Sequence, residues 1–142
     1  MEIVCSRSLE FRIPADRRYI PVVRRGVRSM AESVGFCRED AADVEVAVAE
    51  AVTNSVEHGS PEPEVTVLVK CYTSGDSLIV EVEDHSQADC IPVCSEPACE
   101  VPQERGRGVL MMRALMDECS DYRTDHGIGV RMAKQRARRR AE

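Results

Sequence analysis

Apolar residues recur along this chain in two rhythms, one typical of helices and the other typical of strands. Helical spacing predicts a helix over about 17–34 and a second over about 39–58, ended by the glycine and prolines that follow it. Alternating spacing predicts an opening strand over 2–13 and a hairpin of two strands, 64–71 and 77–84, joined by the turn "YTSGD". The first half of the chain is therefore predicted to be a strand, two helices and a hairpin.

The second half of the chain begins with a long segment that lacks either rhythm. Residues 85–107 contain three prolines and few apolar positions, which is typical of a lid or a binding loop. A short helix, "GVLMMRALMDEC", follows from Gly108, and "SDYRT" and "IGVRMAKQ" predict two closing strands. The order β-α-α-β-β-loop-α-β-β predicts an α+β fold, a two-layer sandwich with a mixed, mostly antiparallel sheet and helices on one face. We expect one domain over 1–135 and a basic tail over 136–142.

Composition narrows the class of protein without identifying it. The formal net charge of −6 and the pI of about 5.2 argue for solubility and against direct binding of nucleic acid. The start, "MEIVCSRSLEF", does not resemble a signal peptide, and no apolar run approaches the ~20 residues that span a bilayer. The seven cysteines are an odd number, which favours reduced thiols over a disulfide framework. We therefore expect a cytoplasmic protein with no membrane contact.

The second predicted helix places three polar side chains in one line, because Glu50, Asn54 and His58 are spaced four apart. A helical wheel puts Glu50 and Asn54 on one shoulder of the apolar stripe, bordered by His58, at the rim of the core. The stripe itself consists of Val44, Ala47, Val48, Ala51, Val52 and Ser55. One interpretation is a polar pair that hydrogen-bonds to itself or to the next layer. The other is a site in which the Asn54 carbonyl oxygen ligates Mg²⁺ and Glu50 accepts a proton.

Two further segments carry candidate binding chemistry. Asp84 ends the second hairpin strand, where a carboxylate can accept a hydrogen bond from an amino group such as that of adenine. Gly106 and Gly108 stand directly before the third predicted helix, where backbone N–H groups can approach phosphate oxygens. Each feature alone is also compatible with an ordinary strand end and an ordinary turn into a helix.

Taken in order, these features resemble the GHKL ATPase superfamily. The order is E-x-x-x-N on a helix, Asp after a hairpin strand, a long loop, G-x-G opening a helix, and "GIGVRM" on the last strand. Within that superfamily, the size and the segments "EAVTNSVEHG" and "ERGRGVLMMRALMDE" resemble the anti-sigma-factor serine/threonine kinases, which are histidine-kinase-like ATPases of bacterial partner switching. The resemblance covers about residues 10–135.

The resemblance implies a role for each of the positions that carry it. It implies that Asn54 ligates Mg²⁺, that Glu50 is the general base and that Asp84 holds the adenine amino group of ATP. It also implies that residues 85–107 form an ATP lid, that the two glycines wrap the phosphates and that nearby arginines neutralise charge. The other positions that it assigns to nucleotide binding are His58, Arg105, Gly106, Arg107 and Gly108.

The implied reaction is transfer of the γ-phosphoryl group of ATP to a serine or threonine hydroxyl. The implied substrate is a small STAS-type anti-sigma-factor antagonist, the second partner is a sigma factor, and a homodimer is expected. On the first predicted helix, the polar face that bears Arg17, Arg24, Arg25 and Arg28 is a candidate for part of a partner surface. A solvated basic face is the alternative for these arginines.

Two positions depart from the family pattern. The first glycine box usually reads D-x-G-x-G, whereas residues 84–88 read "DHSQA" and contain no glycine. Side chains there restrict the backbone, which predicts a lower ATP affinity or a reshaped pocket. The second departure is Ile128, which stands where the family has a threonine, so a hydroxyl near the nucleotide base would be lost.

Three other interpretations remain open at this point. A binding module could keep the fold and sequester a sigma factor or another partner without catalysis, which the missing glycines favour. A sensor histidine kinase fragment would need a phospho-acceptor on a separate dimerisation helix, and none of the three histidines is placed on one. A zinc site could use "CIPVCSEPAC", but its C-x₃-C-x₄-C spacing departs from the usual pairs and favours free thiols. Its ligands would be Cys90, Cys94 and Cys99, with His85 as the fourth.

Overall fold

The computed structural model describes residues 7–58, 66–84, 103–125 and 127–137, with residues 58 and 103–108 described by their backbone alone. The helices are α1 (Ile20–Ser33), α2 (Arg38–His58) and α3 (Gln103–Leu115), and a short 3₁₀ turn, Arg17–Tyr19, precedes α1. The strands are β1 (Ser8–Pro14), β2 (Thr66–Ser74), β3 (Ser77–Glu83), β4 (Glu118–Arg123) and β5 (Ile128–Gln135). None of the helices it describes is long and apolar enough to cross a membrane.

The five strands lie in the order β1-β2-β3-β5-β4, and each of the described pairings is antiparallel. The predicted two-layer α+β sandwich with a mostly antiparallel sheet is confirmed, and no parallel pairing occurs among the described strands. The physical reason is the position of β5. The strands β3 and β4 run in the same direction, and β5, the hairpin partner of β4, fills the position between them.

The core lies between the helices and one face of the sheet. Alternate residues of β3, namely Leu78, Val80 and Val82, point towards the helices and are fully buried. The opposite side of the core is the apolar stripe of α2, and every residue that the helical wheel assigns to that stripe is buried. Because α2 packs between α1 and α3, its two shoulders meet different neighbours.

Local signals account for both ends of the first helical segment. The Asp16 side chain accepts a hydrogen bond from the Arg18 backbone N–H at 2.9 Å, which caps the 3₁₀ turn before α1. Hydrogen bonds from the Arg18 side chain lower the pKa of the Asp16 carboxyl. At the other end, Gly35 has a φ of 102°, and its N–H and that of the next residue return to carbonyls in the last turn of α1. The helix therefore ends where glycine permits a left-handed residue.

The start of α3 differs from the prediction. The expected start is Gly108, whereas the helix begins at Gln103, so Gly106 and Gly108 lie inside its first two turns. Glutamine, glutamate and arginine are good helix formers, and together they offset a cost of about 1 kcal/mol for each glycine. The opening strand begins at Ser8, and positions 2–6 of the predicted strand lie outside the described residues.

The outer face of the sheet, opposite to the helices, is partly covered by its own side chains. The Tyr122 hydroxyl donates a hydrogen bond to Glu83 at 2.8 Å, and it does so across Gly129 of the intervening strand. A Cβ at Gly129 would clash with the Tyr122 ring, so glycine is the residue that permits this contact. Burial and the bond to Glu83 raise the pKa of the Tyr122 hydroxyl above its ordinary value.

Candidate functional site

Two ion pairs at opposite ends show how α2 is oriented against the sheet. Near the N-terminal end of the helix, Asp43 lies 3.7 Å from Lys134 of β5. At the C-terminal end, Glu57 pairs with Arg17, which follows closely after β1. Since β1 ends beside the start of β2 and the end of β3, the C-terminal half of α2 lies at the sheet edge where β3 ends.

The two shoulders of α2 face different neighbours. On one shoulder, Glu45 accepts a hydrogen bond from Arg28 of α1 at 2.8 Å. On the other shoulder, Asp43 pairs with β5 instead. Helical spacing places Glu50 and Asn54 along this second shoulder, in line with Asp43. Glu50 and Asn54 therefore face away from α1 and towards α3 and β5.

Glu50 and Asn54 are half-buried at the rim of the core, as the helical wheel predicts. Within the ranges that the structure describes, neither side chain makes a hydrogen bond or an ion pair. Glu50 and Asn54 therefore do not hydrogen-bond to each other, contrary to one form of the first interpretation. A carboxylate and an amide at the rim of a rigid helix, with no partner among the described residues, are placed where a ligand could reach them.

Asp84 follows β3 directly, at the same edge of the sheet. Its backbone N–H donates to the carbonyl of Ile128 at 2.9 Å, which extends the ladder between β3 and β5 by one residue. Since Val82 points towards the helices, the alternation of the strand places half-buried Asp84 on the helix side as well. The structure therefore brings Asp84 to the edge where the C-terminal half of α2 lies.

The third helix runs antiparallel to α2 and completes this edge. The Lys134 ammonium donates a hydrogen bond to the carbonyl of Leu115 at 2.5 Å and also meets Asp43, so the end of α3 lies beside the start of α2. The N-terminal turns of α3 consequently point to the edge where Asp84 and Asn54 lie. Those turns contain Arg105, Gly106, Arg107 and Gly108.

Several predicted features lie outside the described residues. They are residues 85–102 of the predicted lid, the side chains of His58 and 105–108, the cysteines Cys90, Cys94 and Cys99 with His85, and the tail over 138–142. In the described ranges, no group of three or more His, Cys, Asp or Glu side chains could hold a metal ion. Among the described residues at this edge, Asn54 is the candidate ligand for Mg²⁺. The neutral oxygen of Asn54 suits such a cation, because Mg²⁺ keeps several of its waters.

The arginine-bearing face of α1 is less positive than the residue count indicates. Arg17, Arg24 and Arg28 pair with acidic residues of α2. Arg25 is exposed and makes no ion pair with the residues that the structure describes. It lies near Val22, an apolar side chain that is 56% exposed. The candidate partner surface therefore has fewer arginines without an ion-pair partner among the described residues than the sequence alone predicts.

Lys134 is a residue of this arrangement that the sequence analysis missed. Its side chain is only 12% exposed, and it links the start of α2 to the end of α3. It shares the helix-facing side of β5 with buried Met132. A lysine in the buried register of a strand was the available signal, because lysine is almost never buried unless it is paired.

Comparison with known proteins points to one class of domain. The sequence profile of the histidine kinase-like ATPase domain matches residues 13–134. The chain is 31% identical to the serine-protein kinase RsbW of Bacillus velezensis over 135 residues, which cover 89% of this chain and 84% of that protein. It is 28% identical to the serine-protein kinase RsbW of Bacillus subtilis, with 89% of this chain and 84% of that protein covered.

Solved structures share the fold. The RsbU and RsbW domains of Rv1364c from Mycobacterium tuberculosis superpose with a TM-score of 0.71 at 22% identity, and the match covers 94% of this chain and 33% of that one. The histidine kinase domain from Erythrobacter litoralis EL346 blue-light activated histidine kinase superposes with a TM-score of 0.54 at 20% identity, covering 87% of this chain and 61% of that one. This chain therefore spans only part of the length of either solved chain, and the likeness concerns the fold.

Proposed function

Because the chain belongs to the histidine kinase-like ATPase family, we propose that it transfers the γ-phosphoryl group of Mg-ATP to a serine or threonine of a small anti-sigma-factor antagonist. Use of ATP and serine-protein kinase activity follow from the family and its curated relatives. The observation that carries the proposal is the pair Glu50 and Asn54. Both are half-buried on the α2 shoulder that faces α3, and neither has a partner among the described residues.

Each residue of the proposed site has a role that its position allows. Asn54 offers a carbonyl oxygen to Mg²⁺, which when bound supplies positive charge next to the transferring phosphoryl group. Glu50, one turn earlier on the same shoulder, orients the attacking hydroxyl or accepts its proton. Asp84 accepts a hydrogen bond from the adenine amino group. The remaining residues of the proposed nucleotide site are His58, Arg105, Gly106, Arg107 and Gly108, with the glycines at the phosphates.

Two positions set this proposed nucleotide site apart from the family pattern. Ile128 is buried, and its carbonyl accepts a hydrogen bond from the backbone N–H of Asp84. Its apolar side chain stands where the family pattern has a hydroxyl near the base. Ser86 and Ala88 stand where the first box usually has glycines. We expect these changes to lower the affinity for ATP rather than to abolish binding, because the groups assigned to Mg²⁺, to the nucleophile and to adenine are all present.

In the proposed function, this protein binds two different protein partners in alternation. We infer that a STAS-type antagonist is the substrate, that a sigma factor is the second partner, and that a cytoplasmic homodimer is the working assembly. Relatives named serine-protein kinase RsbW and a neighbour containing RsbU and RsbW domains support partner switching. On α1, Arg25 and Val22 are exposed, and we propose them as contact residues for a partner.

The experiment that tests the kinase is phosphorylation of the antagonist encoded nearest to this protein, with Mg²⁺ and ATP labelled at the γ position. We expect labelled antagonist with the wild-type chain and an initial rate lowered by roughly 10²–10⁴-fold in Glu50→Gln. Glu39→Gln is the matched control, because Glu39 is an exposed carboxylate in the first turn of the same helix. Equal rates for Glu50→Gln and the wild type would show that Glu50 has no role in phosphoryl transfer.

A second candidate function is that the same fold binds a partner without catalysing phosphoryl transfer. A binding module would sequester a sigma factor or another regulator without phosphoryl transfer, and the glycine-free first box favours it. Tight complex formation with the antagonist or the sigma factor, without label and unchanged in Glu50→Gln, would support this module over the kinase.

A further inference from the structure

A cavity of about 310 Å³ opens at the other end of the sheet from Asp84. It lies where the β2–β3 turn, the end of α1 and the end of β5 meet, and the length of β3 separates it from Asp84 by about 20 Å. Its volume is at the lower end of the roughly 300–1,000 Å³ that is typical of small-molecule sites. The cavity is therefore separate from the candidate nucleotide site.

Main-chain carbonyls at the end of α1 hold two arginines at this cavity. The turn at Gly35 uses carbonyls further back in the helix, so those of Ser33 and Val34 are left for side chains. Arg7 Nη1 donates to the Ser33 carbonyl at 3.0 Å, and Arg136 Nη1 donates to the Val34 carbonyl at 2.8 Å. Two guanidinium groups are thus anchored on neighbouring carbonyls.

The described charged residues that line this cavity do not balance in charge. Arg136 also pairs with Asp76 at 3.1 Å. Arg7 pairs with no carboxylate in the part of the chain that the structure describes, and its Nη1 bond to Ser33 engages one of about five N–H donors of a guanidinium. Among the lining residues that the structure describes, two arginines and one aspartate leave one positive charge in excess. The fork-shaped edge of a guanidinium is suited to one carboxylate, which it binds through two parallel hydrogen bonds.

The rest of the lining joins an apolar wall to hydroxyl groups. Val34, which is half-buried, and the small exposed part of Phe36 form the apolar portion of the lining beside the two arginines. Thr73, which pairs with helix-facing Leu78, adds a hydroxyl side chain to the lining, and Ser77 after the β2–β3 turn also lines the cavity. A molecule with one acidic group and a short apolar body would satisfy both parts of this lining.

We propose that the cavity binds a small carboxylate with a short apolar body, with its acidic group on Arg7 and its body against Phe36 and Val34. Two sources present this chemistry, namely a free organic acid and the C-terminal carboxylate of a peptide. Binding here does not depend on phosphoryl transfer at the other end of the sheet.

The proposal is tested by NMR titration of the full chain in the presence of Mg-ADP, followed at the backbone amides of Thr73, Gly75 and Ser77. Hexanoate represents the free acid and N-acetyl-leucine represents the peptide terminus. Hexanol and inorganic phosphate are the neutral and the more highly charged comparisons. We expect saturable shifts with at least one carboxylate in the millimolar range, and at least about tenfold weaker binding of hexanol and phosphate. A response to only one of the two carboxylates supports the proposal and identifies the source.

Matched variants separate this site from general charge effects. Arg7→Gln should weaken carboxylate binding by at least about tenfold, and Arg7→Lys, which keeps the charge and loses the fork, should restore only part of it. Arg113→Gln removes the same charge from an exposed arginine of α3, outside the cavity lining, and should leave binding unchanged. Absence of saturable shifts, equal binding of hexanol, tighter binding of phosphate, or equal affinity in Arg7→Gln would each overturn the proposal.

Discussion

The backbone N–H of Asp84 donates a 2.9 Å hydrogen bond to the carbonyl of Ile128, one residue beyond the paired end of β3. This bond belongs to the main chain, so it persists when the side chain at position 84 is changed. The main chain therefore contributes to holding Asp84 at the sheet edge. A substitution can therefore test the adenine contact without opening the ladder between β3 and β5.

We expect Asp84→Ala to weaken ATP binding by about ten- to a hundredfold, because a hydrogen bond to a charged group contributes about 1.5–3 kcal/mol. Titration with a fluorescent ATP analogue measures the dissociation constant. Glu81→Ala is the matched control, since Glu81 lies on the same strand and two-residue alternation puts it on the opposite face. An unchanged dissociation constant in Asp84→Ala would exclude this residue from the nucleotide site.

Glu45 should contribute more to stability than a typical surface carboxylate. Its side chain is 16% exposed and lies 2.8 Å from Arg28 and 3.2 Å from Arg24, whose buried Nε has no hydrogen bond of good geometry among the described residues. Glu45→Ala leaves both guanidinium groups without this partner, and we expect it to lower the free energy of unfolding by about 2–3 kcal/mol. Urea denaturation measures this loss.

The control for Glu45 is Glu32, which also pairs with Arg28 but is 49% exposed. Because exposed ion pairs contribute little, Glu32→Ala should cost less than about 0.5 kcal/mol. Similar losses for the two variants would show that α1 and α2 are not joined through Glu45.

Lys134→Met should loosen the junction of α2, α3 and β5. The substitution removes the 2.5 Å hydrogen bond to the Leu115 carbonyl and the 3.7 Å contact with Asp43, and we expect a loss of about 1–2 kcal/mol in the free energy of unfolding. Asp43→Asn removes only the second contact, whose carboxylate is 40% exposed, and should cost well under about 1 kcal/mol. If Asp43→Asn proved as costly as Lys134→Met, the hydrogen bond to α3 would have no separate effect.

Gly129→Ala should destabilise the sheet through Tyr122. The added Cβ would coincide with the tyrosine ring, and forcing a side chain from its place in a packed structure costs about 1–3 kcal/mol. Removing the ring with Tyr122→Ala should make the same glycine substitution nearly neutral. A double-mutant cycle in urea measures this coupling, and an equal cost of Gly129→Ala in both backgrounds would contradict the contact.

Cys71 and Cys37 should differ in reactivity towards alkylating reagents. Burial raises the pKa of the Cys71 thiol to about 12, whereas Cys37 is exposed. Mass spectrometry after brief iodoacetamide treatment should find Cys37 modified in the native protein and Cys71 modified only after unfolding. Early modification of Cys71 would show that its core position opens readily.

The raised pKa of Cys71 also sets a direction for stability at high pH. The folded value of about 12 lies above the ordinary value of 9.0, so the unfolded chain loses this proton first. The free energy of unfolding is therefore unaffected by this group below about pH 9 and falls between about pH 9 and 12. Urea midpoints measured from about pH 8 to 10 should fall less steeply in Cys71→Val than in the wild type. Parallel pH profiles for Cys71→Val and the wild type would show that Cys71 does not cause the loss of stability at high pH.

Hydrophobic spacing was sufficient to predict the elements and the buried stripe of α2, because burial of apolar side chains dominates their local placement. It also placed Glu50 and Asn54 correctly at the rim of the core. It was wrong about the start of α3, where good helix formers outweigh Gly106 and Gly108. It did not predict the strand order, since alternation within one strand does not specify which strand lies beside it.

By itself, the sequence determined which segments become helices and strands and which of their faces turn inwards. Only the tertiary structure decided that one shoulder of α2 meets α1 through Glu45 while the other meets β5 through Lys134. The same holds for the cavity, where Arg7 and Arg136 arrive from opposite ends of the described chain. The physical reason is that periodicity is a property of a single segment. Ion pairs, strand order and cavities depend on contacts between segments that are distant in the chain, and those contacts exist only after folding.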